Sequence, residues 1–257
     1  MKRIWNSVCA AFSVFSVLPM PWVDWESYNL RGTLAALPLV GVLAGGACIL
    51  YYYLSVWLKL PIMLSAAVYT VVPVALSGGI HMDGFADTTD ALSSHADPEK
   101  KRQILKDPHA GAFAVIGVAC LLIIHFGLCC ALTDSINAVL LFSLTHVLSR
   151  TAGALASCIF PMSGNRGMLS MLRDDKPFAS VIILILWAAA AFFAAALISP
   201  YAAAVMAVLC ALVLLYVRRM AAREFGGMSG DIAGYLITLC EVVLLAGIVL
   251  TERITAL

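Results

Sequence analysis

Long, uninterrupted apolar stretches constrain this chain more than any other feature of its 257 residues. An α-helix needs ~20 such residues to cross the hydrocarbon core of a bilayer. Apolar residues make up 62% of the sequence, whereas a soluble domain contains about 45–50%. Because these residues are continuous rather than alternating, we predict an all-α polytopic membrane protein with about seven transmembrane helices. The predicted spans lie near residues 33–58, 61–77, 112–132, 136–159, 179–198, 201–217 and 232–251.

The amino-terminal segment has a different pattern. Apolar residues recur at helical spacing between Ile4 and Phe15, polar residues interrupt them, and Pro19 ends the run. This pattern favours an amphipathic helix lying in the plane of the membrane. A cleaved signal peptide, with Lys2 and Arg3 before its apolar part, is the alternative.

Basic residues are distributed unequally between the predicted loops. With seven spans and a cytoplasmic amino terminus, only Lys59 and Arg253 fall on the far side. The cytoplasmic side then holds Lys2, Arg3, Arg31, Lys100, Lys101, Arg102, Lys106, Arg166, Arg173, Lys176, Arg218, Arg219 and Arg223. Such asymmetry predicts the orientation of a membrane protein. We therefore expect loops 78–111, 160–178 and 218–231 on the cytoplasmic face of the cytoplasmic (inner) membrane. No internal repeat or soluble segment is visible, so residues 1–257 are predicted to form a single integral-membrane domain.

An acidic motif follows the second predicted span. Asp83, Asp87 and Asp90 are spaced i, i+4 and i+7, which places them within an arc of about 60° on a helix. Hard oxygen ligands in this arrangement suit Mg²⁺ or Ca²⁺, and an acidic stripe beside a span is costly without a function. We predict a Mg²⁺ site; a solvated acidic loop is the alternative. Gly84 either lets a phosphate approach the backbone or is a helix-packing contact.

Two other polar segments are candidates for the same site. Asp231 follows a glycine-rich loop at the start of the last span. It is either a helix cap or a further metal ligand, at a helix end whose backbone N–H groups also favour a substrate anion. Basic residues in loop 92–111 would neutralise a polyphosphate, and His109 there is the candidate general base. The predicted substrate-binding residues are Gly78, Gly79, His81, Lys106, Gly227 and Glu241.

Charged and titratable residues also fall inside predicted spans, and Arg150, His146 and Glu241 are the most informative of them. Arg150 has His146 one turn before it on the same face, and Glu241 lies roughly 15 Å below Asp231 by the helical rise. One interpretation is a buried Arg150–Glu241 ion pair. The other has Arg150 facing a phosphate, with Glu241 closing a polar cavity.

These features together favour phosphoryl transfer, in which positioning and charge neutralisation provide most of the catalysis. A net charge of +1 gives no reason to expect nucleic acid as a partner. An ion-coupled transporter is the non-enzymatic alternative, but it predicts polar residues at several depths and inverted repeats. The eight cysteines lie mostly in apolar stretches and are predicted to be small core residues.

Residues 79–92 resemble the signature of the cobalamin synthase (adenosylcobinamide-GDP ribazoletransferase) family, which reads G-G-hydrophobic-H-hydrophobic-D-G-hydrophobic-A-D-T-x-D. Shorter matches in the same order occur at residues 18–21, 38–41, 106–111, 149–150 and 226–231. The resemblance implies two substrates, adenosylcobinamide-GDP and α-ribazole or its 5′-phosphate, in a lipid bilayer, with Mg²⁺ as cofactor and GMP as product. It leaves open whether the protein is a homo-oligomer.

The resemblance also implies roles for individual residues. Asp83, Asp87 and Asp90 would hold Mg²⁺ on the pyrophosphate, Asp231 would complete the metal shell, and Arg150 would offset charge on the transferred phosphoryl group. CDP-alcohol phosphotransferases are a second membrane class with spaced aspartates. The chain lacks their full four-aspartate pattern, so this assignment ranks second.

Overall fold

The structure is a computed structural model that describes residues 2–21, 32–132, 135–164, 167–174 and 177–255. Arg31, Arg166 and Lys176 of the predicted basic loops lie outside these residues. The described chain is helical and contains a single isolated β-bridge, between Met162 and Met228. A π-helical turn, Ala221–Phe225, continues the tenth helix. The α-helices are α1 (Lys2–Phe15), α2 (Thr33–Leu58), α3 (Ile62–Leu76), α4 (Ile80–Ser93), α5 (Pro98–Ile104), α6 (Ala112–Ala131), α7 (Ile136–Ile159), α8 (Met168–Leu172), α9 (Phe178–Ile198), α10 (Pro200–Met220) and α11 (Gly230–Thr255).

Six helices are long and apolar enough to cross a membrane, namely α2, α6, α7, α9, the α10 helix with its π-helical turn, and α11. The second predicted span is shorter than the others. Helix α3 has 15 residues, about 22 Å at 1.5 Å per residue, and the chain then bends by 92° into α4. Gly78 and Gly79 make this bend with φ of 64° and 78°, a left-handed conformation that glycine adopts without strain.

Contacts at the two ends of α3 show that it returns the chain to the face from which α2 leaves. On one face, the Val17 N–H donates to the Leu76 carbonyl at 2.9 Å, so the end of α1 meets the end of α3. On the opposite face, Lys59 and Leu132 line one cavity, and Arg253 donates to the Ala131 carbonyl at 3.1 Å. By length and composition α3 qualifies as a span only together with α4, and counting this bent pair once gives seven crossings, in agreement with the prediction.

Helix α7 forms the centre of the bundle and packs against α2, α9 and α11. Two glycines of α2 allow the closest approach, because a Cβ on Gly45 would lie 2.7 Å from the Ser143 carbonyl oxygen and one on Gly41 would overlap the His146 carbonyl. The Ser143 hydroxyl also donates to the Gly45 carbonyl at 3.0 Å. Small residues at such contacts are typical of helix packing in membranes.

The outer helices expose apolar side chains in the way that a lipid-facing surface requires. On α9, Phe178, Phe193 and Leu197 are each at least two-thirds exposed. The amino-terminal prediction is confirmed as a helix, since α1 buries Cys9 and neighbouring alanines while its Trp5 is exposed. Its position in the plane of the membrane stays a prediction.

Candidate active site

The acidic motif is a helix, so the predicted stripe exists. Helix α4 begins after Gly79 and carries Asp83, Asp87 and Asp90 along one side. The opposite side buries a different set of residues, which includes Gly84 and Thr88 and faces the bundle. The 92° bend before α4 presents the carboxylates at one end of the bundle instead of continuing the line of α3.

Asp231 is brought beside this stripe by close packing of α4 against the start of α11. A Cβ on Gly84 would lie 2.6 Å from the Asp231 carbonyl oxygen, so Gly84 is a packing contact, one of the two predicted alternatives. The Thr238 hydroxyl donates to the His81 carbonyl at 3.1 Å, which fastens α4 one helical turn further along. The four aspartates therefore come from two helices in direct contact.

A side chain other than Asp231 caps the start of α11. The side-chain cap of α11 is Ser229, whose hydroxyl oxygen accepts from the Ile232 N–H at 3.3 Å. The same hydroxyl donates to the Asp231 carboxylate at 3.4 Å. Ser229 thus satisfies one N–H group at this helix end, and Asp231 lies beside it in the first turn of α11.

Electrostatics within the acidic group fit a divalent cation. Helix α4 is not one of the six helices that are long enough to span a membrane by themselves. Burial, followed by the negative charges of Asp83, Asp231 and Asp90, raises the pKa of Asp87 to about 6. Within the described parts of the chain, no basic side chain lies within 4 Å of these four carboxylates. No three of the described carboxylate, imidazole or thiol side chains are arranged to hold a cation by themselves. Such an open set suits Mg²⁺, which takes one or two carboxylates and completes its shell with water and substrate phosphates.

Asp90 has a neighbour that the other aspartates lack. Its carboxylate accepts from the Ala114 N–H at 3.2 Å and lies against Gly111, where a Cβ would overlap both carboxylate oxygens. Asp90 therefore caps the first turn of α6 from outside that helix. Its predicted metal role competes with this structural one.

A basic cavity of about 540 Å³ borders Asp231 on the side away from α4. Its polar lining includes Arg102, Lys106, Ser163 and Ser229. Lys106 and Arg102 belong to the basic loop predicted to neutralise a polyphosphate, whereas Ser163 and Ser229 are not among the predicted site residues, although Ser229 lies in the glycine-rich loop. In this basic cavity, cations lie in one wall together with a carboxylate of the acidic group.

Contacts of α5 with the π-helical turn position Arg102 in the basic cavity. Asp97 caps α5 by accepting from the N–H groups of Glu99 and Lys100, and these hydrogen bonds lower the pKa of Asp97. Lys101 is only 6% exposed and forms an ion pair with Glu224 at 2.5 Å. The Arg102 guanidinium reaches the Phe225 carbonyl at 3.5 Å. Part of the charge run is therefore a docking surface and not a solvated face.

Glycines predicted to bind substrate make turns and close contacts instead of offering free N–H groups. The N–H groups of Gly78 and Gly79 donate to carbonyls of α3 at 3.1 and 3.0 Å, and that of Gly227 donates to Ala221 at 2.9 Å. A Cβ on Gly227 would lie 2.5 Å from the Met162 carbonyl carbon. Gly78 and Gly79 do border an open cavity of about 610 Å³ beside Asp83. Substrate contact by these glycines stays a prediction.

An apolar cavity of about 290 Å³ has Asp83 and Asp231 in its wall. His81 and Ser157 add polar groups to its wall. The remaining lining residues include Phe15, Leu34, Leu37, Leu169, Leu172 and Ile237. The His81 ring stacks on Phe15 with centroids 5.9 Å apart, and its Nε2 has no hydrogen-bond partner among the described residues. His81 thus lines a cavity together with two of the aspartates, and its contact with substrate stays a prediction.

Arg150 and Glu241 form the buried ion pair that the first interpretation predicted. Glu241 also accepts from Ser149 at 3.2 Å and lies 3.0 Å from His146 Nδ1. Arg150 is 2% exposed and, like Glu241, lines neither the basic cavity nor the apolar cavity. The structure therefore does not bring this pair together with Asp83, and a phosphate contact by Arg150 stays a prediction.

His109 is the most exposed of the candidates. Its Nδ1 lies 2.8 Å from the Asp107 carboxylate, and the backbone N–H of His109 lowers the pKa of Asp107 by donating to it. Neither the basic nor the apolar cavity includes it. Its role as a general base stays a prediction.

Comparison with known proteins gives one consistent result. The profile of the cobalamin-5-phosphate synthase family matches residues 7–249. An adenosylcobinamide-GDP ribazoletransferase of Lachnoclostridium phytofermentans is 32% identical over 97% of this chain and 95% of its own length. A protein of the same name from Clostridium perfringens strain SM101 is 32% identical over 97% and 100%, and one from Geobacillus thermodenitrificans is 29% identical over 92% of each chain. No solved structure matches the chain.

Proposed function

The chain belongs to the cobalamin-5-phosphate synthase family, and from this premise we propose that it is an adenosylcobinamide-GDP ribazoletransferase that uses Mg²⁺. One observation carries the proposal: Asp83 of α4 and Asp231 of α11 line the same cavity, and Asp231 also borders a basic cavity. This arrangement is what transfer from a nucleotide-activated pyrophosphate requires, since the reaction is catalysed mainly by positioning and charge neutralisation.

The reaction exchanges one phosphorus–oxygen bond for another. A hydroxyl oxygen of α-ribazole, or of its 5′-phosphate, bonds to the phosphorus that carries adenosylcobinamide. The bond from this phosphorus to the GMP oxygen breaks, GMP leaves with the electron pair, and the hydroxyl proton passes to solvent or a base. The products are adenosylcobalamin, or its 5′-phosphate, and GMP.

Side chains of the site divide this work. Asp83, Asp87 and Asp231 would hold Mg²⁺, with Asp90 positioned by its contact with α6. Bound Mg²⁺ supplies positive charge that neutralises pyrophosphate oxygens. Arg102 and Lys106 donate charged hydrogen bonds to anionic oxygens.

The positive-inside distribution supports a site that faces the cytoplasm, in a multi-pass protein of the cytoplasmic membrane. Loop 78–111 and loop 218–231 share one end of the bundle, where Lys101 contacts Glu224. Their basic residues therefore contribute to the same side. The opposite end has Lys59 and Arg253.

Neither alternative from the sequence gains support. Family membership does not favour a CDP-alcohol phosphotransferase. An ion-coupled transporter needs charges along a path, whereas Arg150 and Glu241 neutralise each other inside the bundle.

The proposal is tested by GMP release from the purified protein reconstituted in lipid and given adenosylcobinamide-GDP and α-ribazole. Release that requires both α-ribazole and Mg²⁺, with a cobalamin product, would support it. A correctly inserted protein that releases no GMP, or releases it without α-ribazole, would overturn it.

A further inference from the structure

Three cavities meet at the acidic group, and the residues they share fix their order. The basic and apolar cavities have in common Met168, Leu169, Gly230 and Asp231. The apolar cavity and the open cavity of about 610 Å³ have in common Ile80 and Asp83. The apolar cavity therefore lies in the middle, and each junction carries one carboxylate.

The three cavities differ in chemistry. The basic cavity combines Arg102 and Lys106 with serine hydroxyls, and its volume of about 540 Å³ lies within the ~300–1,000 Å³ of small-molecule sites. These groups recognise phosphate and ribose oxygens, as expected for a nucleotide.

The apolar cavity suits a flat, uncharged ring. Phe15, Leu34 and Leu37 line it, and burying an aromatic base against such side chains is favoured by the hydrophobic effect. Asp83 and Asp231 belong to its wall together with His81 and Ser157, so the hydroxyl of an attached ribose can lie beside the carboxylates. With about 290 Å³, the cavity excludes a group as large as a corrin ring.

The open cavity suits the largest group. Val74, Met82 and Val118 line it beside Asp83, and it opens widely to the surface between α3, α4 and α6. An apolar ring with its side chains can lie over such a surface while one arm reaches the carboxylates.

Resting on the proposed function, we propose that each cavity takes a different part of the two substrates. The basic cavity binds the leaving nucleotide, the apolar cavity binds the heteroaromatic base of the acceptor, and the open cavity binds the corrinoid arm. The reacting phosphorus carries a leaving nucleotide and a corrinoid arm and is attacked by the acceptor. Three cavities that converge on one acidic group match these three directions.

Three cavity variants and one control test this assignment in the reconstituted protein. Lys106→Met acts on the basic cavity, Ala233→Leu fills the apolar cavity, and Val118→Phe narrows the open cavity. Lys100→Met is the matched control, because Lys100 is exposed on the same basic segment and lines none of the three. The constants measured are the KM for each substrate and the inhibition constant for GMP.

Each variant has its own expected pattern. Loss of a charged hydrogen bond is worth about tenfold or more, so Lys106→Met raises the GMP inhibition constant and the donor KM by this factor and leaves the α-ribazole KM within about twofold. Ala233→Leu raises only the α-ribazole KM. Val118→Phe raises the donor KM without changing GMP inhibition. Lys100→Met changes none of the three constants.

Every other pattern overturns the assignment. If Ala233→Leu alters GMP inhibition while Lys106→Met alters the α-ribazole KM, the assigned ligands of the basic and apolar cavities are exchanged. If Ala233→Leu leaves the α-ribazole KM unchanged, the apolar cavity holds something else, such as a lipid chain. Unchanged GMP inhibition shows that Ala233→Leu is folded. Failure of the proposed function is a separate result, because the unmodified protein would then release no GMP.

Discussion

Asp83 and Asp90 lie on one stripe of α4 but have different neighbours. Asp83 borders two cavities, the apolar and the open one, whereas Asp90 accepts a hydrogen bond from the start of α6. Two aspartates of one motif in the sequence are therefore not equivalent in the fold. The sequence motif predicts a metal-binding role for both aspartates, whereas the packing gives Asp90 the additional role of capping α6.

This difference predicts unequal effects of the same substitution. Losing an outer-shell partner of a metal ligand costs ~10–100-fold, so Asp83→Asn, which changes a proposed direct ligand, is expected to lower the rate of GMP release by more than ~100-fold. Asp90→Asn retains an acceptor for the Ala114 N–H and is expected to lose less. The rate and the amount of membrane-inserted protein are measured together.

Asp97→Asn is the control for both aspartate variants. Asparagine caps a helix as well as aspartate does, so α5 keeps its start and activity is expected to stay normal. Near-normal turnover of Asp83→Asn would contradict the assignment of Asp83 as a ligand.

Arg150 gives a second prediction at the scale of the residue. Removing one member of a buried ion pair leaves an uncompensated charge and costs ~3–5 kcal/mol. Arg150→Met is therefore expected to lower the midpoint of thermal unfolding in detergent, and the double variant Arg150→Met, Glu241→Gln is expected to regain most of it. Serine and histidine neighbours can still hydrogen-bond the side-chain amide that the second substitution introduces.

Activity of the same variants separates packing from a phosphate contact. If the pair only stabilises the bundle, the stability regained by the double variant brings turnover with it. A double variant that is stable but inactive would show that Arg150 acts on the phosphate. In that case Arg150→Lys, which keeps the charge, should retain partial turnover.

At the scale of the elements, the site depends on how closely α4 approaches α11. Gly84→Ala adds a Cβ that would lie 2.6 Å from the Asp231 carbonyl oxygen, so the two helices must move apart and Asp83 moves away from Asp231. Catalysis is sensitive to shifts of this kind, since a misplacement of about 1 Å costs ~100-fold. We expect a fall of this order in kcat, measured as GMP release at saturating substrate.

Gly127→Ala is the control for the packing argument. Gly127 also lies inside a helix, but a Cβ there meets no atom within 4 Å. The substitution raises helix propensity by ~1 kcal/mol and is expected to leave kcat unchanged. Equal kcat values for the two alanine variants would show that α4 and α11 need not be in close contact.

The ion pair between Lys101 and Glu224 joins two elements that are 123 residues apart in sequence. Lys101→Met and Glu224→Gln each release α5 from the π-helical turn, so Arg102 loses its position in the basic cavity and the donor KM rises. Because either single substitution breaks the same contact, the donor KM of the double variant is expected to be no higher than that of one single variant. This corresponds to a coupling energy of ~0.5–3 kcal/mol between the two residues. Arg223 is an exposed neighbour, so Arg223→Gln should leave the donor KM unchanged. Additive effects of the two single substitutions would show that the Lys101–Glu224 ion pair does not position Arg102.

Helix bounds could be predicted from the sequence because they depend on the length of apolar runs, which are local. The predicted spans 33–58 and 136–159 coincide with α2 and α7. Burial of Lys101 could not be predicted, since it depends on where α5 docks. The capping role of Asp90 and the basic cavity could not be predicted either, because both depend on the packing of residues that are far apart in the chain. Alternatives at Gly84 and Asp231 were left open because both roles need the same residue type.

For the whole molecule, the number of crossings decides which loops share a compartment. Helix α3, about 22 Å long, is shorter than the ~30 Å hydrocarbon core and is the weakest of the seven spans by length. Yet Val17 contacts Leu76, while Lys59 and Leu132 line a cavity at the other end. A chain that failed to cross at α3 would separate the acidic motif from Asp231 by the width of the membrane.

This reasoning predicts the location of reporters fused along the chain. With the amino terminus in the cytoplasm, a reporter that is active only outside the membrane should be active after Lys59, inactive after Asp97 and active after Leu257. Equal signals after Lys59 and Asp97 would mean that α3 does not cross. Reversal of all three signals would keep the fold and invert the orientation, which would place the acidic site away from cytoplasmic Mg²⁺ and nucleotide. Because seven is odd, the two termini must report opposite sides, and a cytoplasmic signal after Leu257 would contradict either the count or the orientation.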